Sequence, residues 1–202
     1  MGRIKYFILK RIMDISLSVL LLIILFPLML LISIIILIKM GHPIFFLQRR
    51  PGYRKKIFTI IKFRTMNNFT NEHGILLNDS KRITKEGSFL RKTSLDELPT
   101  LFNVLKGDMS FVGPRPLLVR YLKLYNKRQI KRQNIKPGIT GLAQIKGRNL
   151  LSWEDKIEYD VIYSEKINFF VDIKILFLTI FLVISRKGIT SKNSSSMEEF
   201  KG

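Results

Sequence analysis

The sequence predicts an α+β protein that is mainly helical and that carries a membrane segment near its N-terminus. Three observations support this fold class. Residues 15–38 contain no charged side chain, and a run of about 20 apolar residues is long enough to cross a bilayer. Two short segments rich in β-branched and aromatic residues surround a turn at Pro51-Gly52. Later segments repeat apolar residues at helical spacing.

The apolar run predicts an anchor that stays in the mature protein. It is longer than the ~7–15 apolar residues of a signal peptide, and no small-residue cleavage site follows it before Lys39. Pro27 lies in the middle of the run. A proline there removes a helical hydrogen bond and kinks the helix, at a cost of ~3 kcal/mol.

Basic residues flank both ends of the run. Lys10 and Arg11 precede it, and Lys39, Arg49 and Arg54 follow it. Orientation in a membrane depends on an asymmetry between such charges, which is missing here. The residues alone therefore leave two arrangements open: a single crossing with a tolerated proline, and a re-entrant hairpin with both ends on one face.

After the anchor, residues 43–48 and 56–64 predict two strands joined by a basic loop, which is a small β-hairpin. Lys62 and Arg64 alternate with Phe63 on the second strand. Because neighbouring side chains point to opposite faces of a strand, both basic residues are expected to face a polar cleft while Phe63 faces the core.

Helices are predicted over most of the remainder. Residues 67–92 are expected to form loop and short helix. Leucines at helical spacing predict a helix that ends at Gly107. Residues 117–133 predict a very basic helix and residues 153–166 an amphipathic one. Residues 173–184 are too few to cross a bilayer, so an interfacial or buried helix is expected there.

Composition limits the function classes. The chain has 202 residues, a formal net charge of +20 and no cysteine, which excludes disulfides and thiolate metal sites. Such a charge attracts anionic lipid, phosphorylated ligands or nucleic acid. No nucleic-acid-binding motif is present, so nucleic acid is not expected as a partner. His42 and His73 are isolated and are interpreted as structural or surface residues.

Asp96 and Glu97 are the candidate catalytic acids. Ser94-x-x-Glu97 matches a capping box, and on spacing alone capping is favoured over catalysis. Pro99 complicates that interpretation, because it would fall beyond the first helical positions, where a missing N–H costs nothing. Adjacent helical residues point about 100° apart, so the two acids would take different roles.

Three arginines lie in rigid backbone next to a glycine, a proline or a helix start: Arg91, Arg115 and Arg148. The planar guanidinium suits phosphate. Each arginine alone is most simply a solvated surface charge. Together with a carboxylate, such residues could hold a diphosphate-linked substrate and Mg²⁺.

Several motifs follow one another along the chain: KFRTM at residues 62–66, RKTSLDELP at 91–99, LFNVLKGDMSFVGPRP at 101–116, PGITG at 137–141 and the Gly147-Arg148 pair. In these motifs the chain resembles the bacterial sugar transferases. More narrowly, it is similar to the small monotopic phosphoglycosyl transferases that begin glycan assembly on a polyprenyl phosphate. The resemblance covers about residues 10–184.

The resemblance implies transfer of a sugar 1-phosphate from a UDP-sugar to undecaprenyl phosphate, with release of UMP. It implies that Asp96, beside Glu97, is a nucleophile that forms a covalent phosphosugar intermediate, and that Mg²⁺ binds near Asp96. The basic family positions fall on Lys62, Arg91, Arg115 and Arg148, and Arg64 joins them as a substrate-binding candidate on the strand argument above.

The resemblance also favours the re-entrant helix, broken at Pro27, with amphipathic interfacial helices around a cytoplasmic active site. It implies residence in the bacterial inner membrane and contact with anionic membrane lipids. Phe26 departs from the family, in which a small residue often precedes the proline. The expected organisation is a membrane segment at residues 1–40, a catalytic domain at 41–185 and a polar tail at 186–202.

Three alternatives remain at this stage. The chain could be a non-catalytic, membrane-anchored scaffold that binds anionic lipid through its basic surface. It could be a membrane-tethered nucleic-acid binder, which would bind in a salt-sensitive way. It could also be an enzyme of the same class in which the lipid phosphate attacks directly and Asp96 is only a metal ligand.

Overall fold

Helices form most of the chain in the computed structural model, which describes residues 2–147, 150–185 and 199–202. The prediction of a mainly helical protein with a small β-hairpin is confirmed. Arg148 and most of the polar tail predicted at residues 186–202 lie outside the described residues. The expected three-part organisation stays a prediction.

The N-terminal helix α1 spans Arg3–Met40, with Pro27 inside it. Within the described part of the chain, it is the one helix long and apolar enough to cross a membrane. Its 38 residues are helical through Pro27, so the expected break there is not confirmed and the re-entrant hairpin stays a prediction.

Both ends of α1 contact the rest of the protein. Near its start, Arg11 donates hydrogen bonds of 2.7 Å to the carbonyls of Val104 and Leu105, and buried Asp14 accepts one of 3.0 Å from the backbone N–H of Phe111. At its end, the Arg64 guanidinium donates to the carbonyl oxygens of residues 40–42. The helix is therefore tied to one folded unit at two distant points.

The predicted hairpin is confirmed as an antiparallel pair, β1 (Phe45–Pro51) and β2 (Ile57–Phe63). The register places Phe45 opposite Phe63, with their ring centroids 5.6 Å apart. Phe63 is 2% exposed and belongs to the core, as the alternation along this strand predicted.

Three helices follow the hairpin: α2 (Asp79–Arg82), α3 (Lys85–Thr93) and α4 (Thr100–Lys106). The predicted helix that ends at Gly107 is shorter than its leucine spacing suggests. Pro99 sits just before its first residue, and a separate 3₁₀ turn, Leu95–Glu97, precedes it. Gly107 ends α4 with φ +98°, a conformation that glycine adopts without strain.

A parallel pair of short strands is formed by β3 (Ser110–Val112), which follows α4 in the chain, and β4 (Gly138–Thr140). The two strand regions approach so closely that a Cβ at Gly138 would lie 2.1 Å from the backbone nitrogen of Gly113. Only glycine fits there, which gives the first glycine of the PGITG motif a packing role.

The prediction of one helix over residues 117–133 is wrong. The segment instead contains two 3₁₀ helices, Val119–Lys123 and Gln129–Asn134. Between them, the Asn126 side chain accepts hydrogen bonds of 2.9 Å from the backbone N–H groups of Arg128 and Gln129. Such local side-chain bonds compete with the helical pattern and stop it.

The C-terminal part contains α5 (Leu142–Lys146), α6 (Trp153–Glu165) and α7 (Phe169–Ser185). The helices predicted at residues 153–166 and 173–184 are confirmed, although α7 begins earlier. One face of α7 packs Ile175 into the main core, while Phe170, Phe177, Ile180 and Phe181 project outward. Such a face suits a membrane surface.

Candidate active site

The turn Leu95–Glu97 carries both candidate acids. Ser94, just before it, has φ +59° and ends α3, and its side chain makes no capping hydrogen bond. The capping-box interpretation is therefore wrong, because the Ser94 backbone is left-handed where an N-cap residue is extended. Helix capping therefore does not explain why Asp96 and Glu97 stand at this position.

Glu97 joins two basic residues that are distant in sequence. Its Oε1 lies 2.6 Å from Lys62 Nζ and 2.7 Å from Arg115 Nη2. Burial alone would raise the pKa of Glu97, but the charges and hydrogen bonds of Arg115 and Lys62 outweigh it and hold that pKa well below its usual range. Glu97 is therefore ionised at neutral pH and cannot act as an acid there.

Arg115 is presented by the Pro114-Arg115-Pro116 segment, which two prolines stiffen. A second arginine holds this segment from behind. Arg132 Nη2 donates to the Arg115 carbonyl at 2.7 Å and to Asp160 Oδ2 at 2.6 Å. Arg132 is 1% exposed, so the support for Arg115 comes from a fully buried ion pair.

Asp96 differs from its neighbour. No hydrogen bond or ion pair to its carboxylate is found among the described residues, although it lies within the field of Lys62, Arg115 and Arg91. Burial, and then the charge of Glu97, raise the pKa of Asp96 to about 6 against the lowering effect of those cations. The result is a carboxylate that is largely ionised at pH 7, more basic than an ordinary aspartate, and open to a ligand.

Of the remaining predicted site residues, Arg91 lies near Asp96 and Arg64 does not. Arg91 lies close enough to lower the pKa of Asp96, and its Nε donates to Thr65 Oγ1 at 3.0 Å. Arg64 is not brought to the cleft, because it follows β2 and its guanidinium is occupied by the carbonyl of Met40, the last residue of α1, and by those of the next two residues. These contacts give Arg64 a helix-capping role. The structure says nothing of Arg148.

A cavity of about 90 Å³ opens beside this cluster. Lys62, Glu97 and Arg115 line it, and so does Arg50, which was not among the predicted site residues. Arg132 was also missed, inside a stretch interpreted as a basic helix. No pattern around Arg132 marks it. Arg50 could have been identified as a site candidate from its position on β1, because β1 pairs with β2, the strand that carries Lys62.

A larger groove of about 670 Å³ runs along the first turns of α1, at the opposite end of α4 from Asp96. Its lining is mainly apolar, and none of the candidate site residues contributes to it. The small charged cavity is the better candidate for catalysis, because Lys62, Glu97 and Arg115 line it and Asp96 directly precedes Glu97 in the chain.

No group of three or more acidic or histidine side chains that could hold a metal is found in the described parts of the chain. Mg²⁺ is commonly held by one or two carboxylates together with substrate phosphates. The open carboxylate of Asp96 fits that kind of site.

Comparison with known proteins places these residues in a family. The family model described as bacterial sugar transferase matches residues 5–186. A Bacillus subtilis protein named as an uncharacterized sugar transferase is 49% identical over 195 residues, which cover 96% of each chain.

Two longer relatives carry more specific names. A UDP-glucose:undecaprenyl-phosphate glucose-1-phosphate transferase of Klebsiella pneumoniae is 40% identical over 195 residues, 92% of this chain. An undecaprenyl-phosphate galactose phosphotransferase of Salmonella typhimurium is 40% identical over 197 residues, 89% of this chain. The match spans only 41% of each of these two relatives.

Proposed function

This chain belongs to the bacterial sugar transferase family, and we propose that it is a phosphoglycosyl transferase that moves a sugar 1-phosphate from a UDP-sugar to a polyprenyl phosphate such as undecaprenyl phosphate. One observation carries the proposal: the open carboxylate of Asp96 stands beside an ionised Glu97 that gathers Lys62 and Arg115. A nucleophile is thus set next to fixed cations, as attack on a phosphorus requires.

In the first step, an Asp96 carboxylate oxygen attacks the sugar-proximal phosphorus of the UDP-sugar. An acyl-phosphate bond forms, the bond from that phosphorus to the bridging oxygen breaks, and UMP leaves with the electron pair. Lys62 and Arg115 stabilise negative charge on the phosphoryl oxygens. Because the pKa of Asp96 is raised to about 6, its carboxylate is both ionised and more basic at pH 7.

In the second step, an oxygen of the lipid phosphate attacks the same phosphorus. The polyprenyl diphosphate sugar forms, and the Asp96 carboxylate leaves unchanged. A covalent intermediate allows a water-soluble donor and a membrane-bound acceptor to use one site in turn. Glu97 contributes as the ionised group that orients Lys62 and Arg115.

Mg²⁺ belongs to this proposal as the cofactor. Asp96 is the residue that would hold it, together with phosphate oxygens of the donor. The ion would neutralise charge that develops on the diphosphate.

We further propose that α1 enters one leaflet of the bacterial inner membrane and returns, which leaves the active site on the cytoplasmic face. The contacts of Arg11 and Asp14 near one end of α1, and of Arg64 at the other, support this arrangement. A full crossing would separate those ends by a bilayer. Single cysteines placed at Lys5 and Lys39, in a chain with no other cysteine, should react with a membrane-impermeant reagent from the same side. Labelling from opposite sides would reject the re-entrant arrangement of α1.

The reaction is tested by measuring UMP release from a panel of UDP-sugars, with purified protein, Mg²⁺ and undecaprenyl phosphate. Release that depends on the lipid would establish the reaction and name the donor. A labelled phosphosugar trapped on the protein without lipid would separate the two-step route from direct attack. Folded protein that releases no UMP with any donor would favour the lipid-binding scaffold.

A further inference from the structure

Arg50 is an additional cation in the cleft, and the motif-based assignment does not include it. It lies near the end of β1, opposite Phe58 of β2, and it lines the same cavity as Lys62 and Arg115. Arg49, its neighbour on the strand, is exposed, while Arg50 is partly buried. Strand alternation therefore directs one of the two adjacent arginines into the site and the other to solvent.

No carboxylate within the described residues pairs with Arg50. Its Nη2 donates to Gln48 Oε1 at 2.5 Å and its Nη1 to the Pro116 carbonyl at 3.3 Å, both of which are neutral acceptors. Its Nε is buried and has no hydrogen-bond partner in the described part of the protein. A guanidinium has five N–H groups, so several donors remain for a ligand.

The charges of the cleft are unbalanced in the direction that an anion would correct. Among the residues that line the cavity, three are cations, Arg50, Lys62 and Arg115, and one is a carboxylate, Glu97. Burial and the nearby charge of Arg115 lower the pKa of Arg50 to about 10, so it remains protonated at neutral pH. Two like charges are thus held close together at an energetic cost that a bound phosphate would relieve.

We propose that Arg50 is a substrate-binding residue that donates hydrogen bonds to a phosphate of the nucleotide-sugar diphosphate, alongside Arg115. This inference rests on the proposed function only in taking the anion to be the donor's diphosphate. Arg50 thus has two tasks: it holds the Pro116 carbonyl next to Arg115, and it offers its free donors to the ligand. The planar fork of arginine suits both tasks at once.

The first test compares Arg50→Gln with the matched control Arg49→Gln, which removes the same charge from the exposed position next to it. Affinities for UDP and for inorganic pyrophosphate are measured by titration calorimetry with Mg²⁺ present. We expect Arg50→Gln to bind both ligands about 10-fold more weakly than wild type, as the loss of a charge-assisted hydrogen bond predicts. Arg49→Gln should remain within about twofold. Equal affinities in the two variants, or a loss for UDP but not for pyrophosphate, would overturn the proposal.

A double variant separates direct binding from mere support of Arg115. If Arg50 acts only through the Pro116 carbonyl, Arg50→Gln should have no further effect in an Arg115→Ala background. Direct contact instead predicts a further loss of affinity for pyrophosphate of about fivefold or more. Should Arg50→Gln fail to fold, Arg50→Lys keeps the test open. We expect it to bind pyrophosphate at least about threefold more weakly, since a lysine cannot reproduce the fork, and unchanged affinity would reject the proposal.

The same proteins distinguish failure of this inference from failure of the proposed function. Wild-type turnover with an undiminished affinity in Arg50→Gln would leave the function standing and remove Arg50 from the site. No turnover with any donor, together with weaker pyrophosphate binding in Arg50→Gln, would keep the diphosphate site and reject the reaction.

Discussion

Two charged clusters lie on either side of the Pro114-Arg115-Pro116 segment, and they are built on opposite principles. Behind the segment, Arg132 and Asp160 form one balanced ion pair, 1% and 5% exposed at the side chain. In front of it, Glu97 is shared by Lys62 and Arg115, and Asp96 has no partner among the described residues. The buried pair balances its charges without a ligand, although Asp160 Oδ1 has no hydrogen-bond partner in the described part of the protein. In the cleft, the Asp96 carboxylate is left for solvent or a ligand.

The difference indicates that the buried pair supports the structure, whereas the cleft carries the proposed chemistry. A buried charge must be paired, because an uncompensated one costs several kcal/mol. A partly open cleft can tolerate an excess of cations, since solvent screens them until an anionic substrate arrives. The largest expected effect therefore lies in the cleft, on the group that reacts.

Asp96→Asn should abolish turnover while leaving the fold intact. The amide keeps the shape of the side chain but is no nucleophile, so we expect UMP release to fall by at least about 10³-fold. Asp79→Asn, at an exposed position on α2, is the matched control and should retain activity. Wild-type rates in Asp96→Asn would show that Asp96 is not the nucleophile. The proposed difference between a supporting buried pair and a reactive cleft would then lose its main argument.

Asp160→Asn should destabilise the protein more than any single change of charge in the cleft. It leaves Arg132 buried without a counter-charge, which costs about 3–5 kcal/mol, and equilibrium unfolding in micelles measures the loss. Glu158→Gln is the control on the same helix. Its partner is Arg128, and both side chains are about half exposed, so little change is expected. Similar stabilities for the two variants would contradict the assignment of Arg132 and Asp160 as the support.

Arg115→Ala should mainly weaken use of the UDP-sugar. Losing one charge-assisted contact to phosphate predicts a fall in kcat/KM of about 10- to 100-fold, with membrane association unchanged in a vesicle flotation assay. Arg120→Ala, whose partner Glu199 is also exposed, serves as the comparison. If both variants lost activity equally, general surface charge and not the position of Arg115 would be responsible.

The smallest expected effect concerns the pKa of Asp96. In metal-free protein, ¹³C NMR of labelled aspartate should show a titration near pH 6, with Asp96→Asn used to identify the signal. Arg91 lowers this pKa, so Arg91→Gln should raise it, by less than about one unit at this exposure. Because the carboxylate is the reactive form, less of it is available as pH falls below about 6. A titration near pH 4 would show that burial does not dominate at Asp96.

The sequence alone determined the long apolar helix, the β-hairpin, and helices α6 and α7, because each rests on a local pattern of composition or apolar spacing. It also indicated Lys62, Asp96, Glu97 and Arg115 as candidates through short motifs. It failed at residues 117–133, where the Asn126 side chain stops the helix, and at Ser94, whose backbone is left-handed. Both failures come from single local conformations that composition does not reveal.

Only the tertiary structure decided which charges meet. It joined Glu97 to Lys62 and Arg115 across 35 and 18 residues of chain, directed Arg50 into the cleft, and moved Arg64 to the end of α1. It also placed Arg132 behind Arg115. The physical reason is that a charged side chain acts through its distance to other charges and its exposure to water. Those two quantities arise when strands pair and helices pack, so the order of residues alone could not specify them.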